Sequence, residues 1–267
     1  MKATEVQAKS SNTNLPAHQL TDWGRSAVDP ADVLIPKLLI MQPISELVTE
    51  GLAKGGEIVR STTKTAVASP VEFIPLLMFK TWILAEKVAK SNKFEFRKVE
   101  PFTHENAQAE WEWVVGTSTW QRSQCLNCYA LLPADVAKEA KALAALEKTG
   151  AMPDPDDALL PVVLSFQRTS FKTGKALATH FAKAEAFGVP AARTTLTLGT
   201  ELTKNDKGSY FVATIGKKGP TDELGLMAAR KWWTIISKSQ ASLKVDDSDL
   251  ASDAAEESAA AGGKSQF

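Results

Sequence analysis

The residues in this chain best suited to chemistry are cations and aromatic rings. In VVLSFQRTSFKTGKALATHF (162–181), Arg168, Lys172 and Lys175 fall within eight residues, with Phe171 among them and Phe166 just before. No carboxylate occurs between Asp157 and Glu185. A solvated helix face normally mixes signs, so a one-signed run threaded with rings suits a surface that holds something anionic and flat. The stretch reads as a strand and then a helix, with Thr169 and Ser170 as candidate N-caps. A helix start there would aim free N–H groups at the same place, which favours a phosphate.

Other candidates repeat the mixture. Lys80 neighbours Trp82, Arg97 and Lys98 follow Phe96, and Arg122 follows Trp120. The segment KNDKGSYF places Lys204 and Lys207 before Tyr210 and Phe211. Rings that stack on bases and cations that follow phosphates need this combination on one surface, although burial is the ordinary fate of many strand tryptophans. On ARKWW (229–233), one tryptophan is expected to close the core.

Signals for catalysis are missing from the sequence. Three histidines (His18, His104, His180) are scattered, and no G-x-S-x-G, Walker or H-E-x-x-H pattern occurs. CLNC, with Cys125 and Cys128, is half of a zinc site by spacing, and its missing ligands would have to be His104 and His180. A buried, reduced pair is the expected reading, with no metal and no cofactor. DPDD (154–157) reads as a solvated loop. The chain is therefore expected not to be an enzyme.

The charge balance is exactly neutral in total, with 31 basic and 31 acidic residues, and uneven along the chain. Residues 161–244 carry 13 basic and 5 acidic side chains. The segment after Val245 opens with Asp246, Asp247, Asp249, Asp253, Glu256 and Glu257 and ends with Phe267. Such a tail is a candidate partner-binding segment. Two cysteines exclude a disulfide-stapled framework, and no stretch reaches the ~20 apolar residues of a membrane span. With no apolar leader at the start, a soluble cytoplasmic protein is expected.

These residues must be positioned by strands and a few helices. Residues 1–30 read as a mobile polar arm, 31–245 as one folded domain, and 246–267 as a disordered acidic tail. VEFIPLLMFKTWILAEK (71–87) predicts a strand with an irregularity at Pro75. Alternating rings predict strands over 92–102 and 109–122, the latter with Trp111 and Trp113. Residues 133–148 predict an amphipathic helix, 193–216 a hairpin, and 222–240 a second helix. Strands and helices do not alternate regularly, so the expected class is α+β, a small barrel with helical insertions and a C-terminal helix.

DPADVLIPKLLIMQPISELVTEG, VEFIPLLMF, LPVVLSFQRTSFKTGKAL and LTLGTELTKNDKGSYFVATI together resemble the OB-fold single-stranded DNA-binding proteins encoded by many tailed bacteriophages. The resemblance covers most of the folded region, as loose patterns without a catalytic signature. It implies an OB-like barrel that coats single-stranded DNA during phage replication, recombination or repair, in the host cytoplasm. Similar proteins often carry a cysteine cluster, of which only the CLNC pair matches here. It also implies that the acidic tail recruits replication or recombination proteins. The alternative function is a protein-binding adaptor, a transcription or recombination accessory factor that uses the tail and the C-terminal helix.

Overall fold

In the computed structural model, residues 34–88, 94–102, 120–150, 152–154, 158–205, 208–239 and 244–245 are described. The organising element is β5 (Val71–Lys87), whose β-branched and aromatic residues favour an extended chain. Its irregularity falls where the sequence places it. The pairing with β7 (Trp120–Leu131) shifts register between Pro75 and Leu77, because proline cannot donate to the ladder. At its start β5 pairs with β9 (Thr194–Asn205), and at its end with β6 (Phe94–Pro101).

From β7 the sheet continues through β8 (Val162–Gln167) to β2 (Lys37–Ile40), β3 (Ile58–Arg60) and β4 (Ala66–Val67). On the other side β9 pairs with β10 (Gly208–Pro220). Asn205 faces Gly208, so only two residues link these strands, as hairpin geometry favours. The β2–β8 pair is parallel and the remaining pairs of this sheet are antiparallel. A separate parallel pair joins β1 (Leu34–Ile35) to β11 (Lys244–Val245). Among the described residues the architecture is a mixed, mostly open sheet with four α-helices: α1 (Glu46–Thr49), α2 (Pro133–Thr149), α3 (Phe171–Ala186) and α4 (Glu223–Ser239). No helix among the described residues is long and apolar enough to cross a membrane.

Alternation along the strands builds one core on each face. Leu126, Cys128 and Ala130 of β7 and Leu164 and Phe166 of β8 join Phe73, Leu196 and Leu198 beneath Leu177 of α3. Tyr129, Leu131 and Val163 point the other way, toward Val136 of α2 and Ala229 and Ile236 of α4. Gly174 sets how closely α3 lies on the first face. A Cβ there would stand 2.7 Å from Phe166 Cβ and 3.1 Å from Leu126 Cβ. Glycine thus lets the helix rest directly on β7 and β8.

The ladder does not run on from β10 to β2. Side chains span the gap instead. Phe211 N–H donates to Gln42 Oε1 at 2.9 Å, and Gln42 Nε2 donates to Phe211 O at 3.0 Å, so one carboxamide imitates a strand neighbour. The Phe211 ring lies on Gly55 and Gly56, where a Cβ on Gly56 would meet it at 2.6 Å. Gly56 also has φ +85°, and its carbonyl accepts from Thr200 Oγ1 at 2.8 Å.

Candidate nucleic-acid interface

The strand-to-helix join at residues 162–186 is where the sequence places it, but its cap differs from expectation. Arg168–Ser170 form a 3-10 turn, and Ser170 makes no capping bond. Its hydroxyl instead accepts from Ala213 N–H at 3.3 Å, while Thr173 Oγ1 donates to Ala213 O at 2.7 Å. The two hydroxyls therefore fasten the start of α3 to the edge of β10. Residues separated by about forty positions become neighbours.

This docking brings several of the candidates together. Arg168, Lys172 and Lys175 are exposed, and Lys172 and Lys175 pair with no carboxylate among the described residues. Arg168 is held at φ +48°, a region costly for a side-chain-bearing residue. Lys175 Nζ lies 5.2 Å from the Phe171 ring, which is half-buried against the first core. Arg122 approaches from β7. Gln167 faces Cys125, so the chain leaves β8 near Gln124, and Arg122 lies two residues, about 7 Å, further along. Tyr210 is half-buried three residues, about 10 Å, from Ala213, and exposed Lys204 stands opposite Ser209.

Other candidates lie elsewhere. Trp82 is 1% exposed and stacks on Phe102 at 5.5 Å, so it belongs to the interior and has no face for a base. Arg97 is paired with Glu86 at 2.8 Å and Glu95 at 3.4 Å, and Lys98 with Glu100 at 2.7 Å. Their charge is offset locally, which weakens them as phosphate contacts. The Phe211 ring is committed to Gly55 and Gly56, and its role is to close the gap in the sheet. Trp120 opens β7, but its side chain lies outside the described residues, as do Lys207, Trp111, Trp113 and the acidic residues and Phe267 of the tail. On α4, Trp232 packs against the second core while Trp233 is 50% exposed.

The two cysteines do not converge. They are three residues apart on a strand, where side chains alternate, so Cys125 joins Ile83 on one face and Cys128 joins the first core on the other. Both are free and buried, and no metal-holding cluster occurs among the described residues. Burial pushes the Cys128 thiol far above its ordinary range, against a smaller opposing effect of a hydrogen bond with the Leu76 backbone. The neutral thiol is favoured in the folded state, so its contribution to stability is intact below the ordinary thiol pKa of about 8.5 and declines as pH rises above it. Urea unfolding should show a loss of up to about 1.4 kcal/mol per pH unit in that range, and Cys128→Ala should remove this part of the slope.

A feature missed in the sequence lies on the outer face of the hairpin. Thr197 faces Gly216 and Gly199 faces Thr214. A Cβ on Gly216 would meet Thr197 Oγ1 at 2.6 Å, and one on Gly199 would meet Thr214 Oγ1 at 3.0 Å. These are the ends of short side chains that can rotate, and neither glycine has positive φ. The fold therefore does not demand glycine at either position. The signal was the glycine within each strand, in LTLGT and VATIGK, but only the register shows that the two make one shallow strip beside Val212 and Tyr210.

Comparison with protein-family models, with curated proteins and with solved structures found no match.

Proposed function

We propose that the chain is a sequence-tolerant single-stranded DNA-binding protein on an OB-like small barrel, acting without catalysis in phage DNA replication, recombination or repair in the host cytoplasm. The observation that carries this reading is the docking of α3 on β10 through Ser170, Thr173 and Ala213. It gathers Arg122, Arg168, Lys172 and Lys175 beside the hairpin that bears Lys204 and Tyr210. The Gln42 bridge between β10 and the segment after β2 supports the barrel, since it links the two parts of the sheet where the ladder is interrupted.

Phosphates follow the cationic edge, and bases cross β10 onto the outer face, against Tyr210 and the Gly199–Gly216 strip. Backbone contact there is sequence-tolerant, because every base offers a flat face. Glycine inside a strand costs roughly 0.5–1 kcal/mol relative to alanine, and a bare strip admits a ring close to the backbone. Gly199→Thr with Gly216→Thr should leave the thermal midpoint unchanged or higher and reduce affinity for a labelled oligothymidylate about tenfold, a loss of about 1.4 kcal/mol. Unchanged affinity in the folded double variant would remove the strip from the interface.

A further inference from the structure

A second one-signed surface lies on the opposite face of the sheet from α3. After Glu223, α4 carries Arg230, Lys231 and Lys238 and no carboxylate. Gly225, Ala229 and Ile236 face inward. At 3.6 residues per turn, Leu224, Met227, Lys231, Thr234 and Lys238 fall on one outward stripe with Arg230 along one side, and Trp233 lies further round toward the inward face. Leu224 is 43% exposed, Met227 67% and Trp233 50%. Two large apolar groups beside cations on one stripe of a helix are not an ordinary solvated face. Lys231 reaches Glu139 of α2 at 3.5 Å, while Arg230 and Lys238 pair with no carboxylate among the described residues.

We infer that this face is the docking site of the chain's own acidic run, Asp246–Glu257. Its sequence, DDSDLASDAAEE, matches the face in both respects, with six carboxylates for the cations and Leu250 for the apolar stripe. Its anchor is in place as well. β11 holds Val245 against the second core, the same core that receives Ala229 and Ile236 of α4. The run therefore starts on the same side of the sheet as α4. Twelve residues reach at most about 40 Å and α4 is about 25 Å long, so the run can extend along the helix. The α3 edge lies across the sheet and is reached only around its rim.

Exposed ion pairs each contribute little, so the contact is weak for a free peptide. Tethering changes this, because covalent attachment close to the site gives an effective concentration in the millimolar range. The docked run covers Leu224 and Met227 and leaves the α3 edge open. This inference stands apart from the DNA-binding proposal and does not need it.

The test uses the full chain with p-benzoylphenylalanine in place of Leu250, irradiated and mapped by mass spectrometry. Cross-links within one chain to residues 223–239 are expected, and a saturating single-stranded oligonucleotide should not reduce them. Arg230→Glu with Lys231→Glu and Lys238→Glu should lower their yield about tenfold. So should Asp249→Asn with Asp253→Asn and Glu256→Gln, which touches no residue of the folded core. Cross-links to residues 168–175, cross-links only between chains, or no defined cross-link would each overturn the inference.

Discussion

Replacing Arg168, Lys172 and Lys175 together by glutamine should lower affinity for single-stranded DNA about a hundredfold and leave the fold intact. Each exposed cation is taken to contribute about 1 kcal/mol through a charged hydrogen bond to a phosphate, giving about 3 kcal/mol for three. The salt dependence should change too. A single-strand complex loses roughly 0.7 in the slope of log K against log salt per phosphate contact, so the triple variant should be flatter by about 2. The side chains are exposed, and Ser170, Thr173 and Gly174, which seat the helix, are untouched. Circular dichroism and the thermal midpoint should therefore match the parent protein. The same substitutions at Arg97 and Lys98 should do much less, because Glu86, Glu95 and Glu100 already offset those charges. Equal losses at both sites would place the phosphate path elsewhere.

Trp82→Ala should act on stability. The ring is 1% exposed and stacked on Phe102, so its loss leaves a cavity that the neighbouring strands cannot close. Substitutions of this kind cost about 3–5 kcal/mol, a large share of the 5–15 kcal/mol that typically holds a domain together. Chemical unfolding should show this as a marked fall in the midpoint. A stable variant that had lost only affinity would instead make Trp82 a base-stacking residue. Its burial also affects the choice of assay. With Trp82 internal and Trp232 packed on the second core, intrinsic tryptophan quenching is a poor readout of the α3 edge.

The sequence made local structure legible where one pattern dominated. The irregularity at Pro75, the helix following Leu132, the hairpin around residues 205–208 and the helix ending at Ser239 all lie close to where propensity and periodicity put them. What spacing could not show was which face a side chain takes or what it meets there. Trp82 and Lys80 lie two residues apart on one face of β5 and both meet the Phe102 ring, yet the indole is buried and the lysine stays exposed, a difference set by what packs over each and not by spacing. Cys125 and Cys128 look paired in sequence but diverge, because an odd separation on a strand sends side chains to opposite faces. Ser170 has the identity of an N-cap, but Ala213 on a strand some forty residues later takes its hydroxyl. Local rules cannot anticipate a long-range partner of this kind. Phe211 is similar: next to a basic hairpin tip it reads as a stacking ring, and only the approach of Gly55 and Gly56 shows where it is used.

The central claim is that the α3 edge and the β9–β10 hairpin together hold a single strand of DNA. Fluorescence anisotropy of a labelled oligothymidylate, titrated with the full chain between about 50 and about 200 mM salt, tests this most directly. The account predicts saturable binding that weakens steeply with salt and is displaced far better by single-stranded than by duplex competitor. Absence of binding at the lowest salt, or binding indifferent to salt, would contradict it.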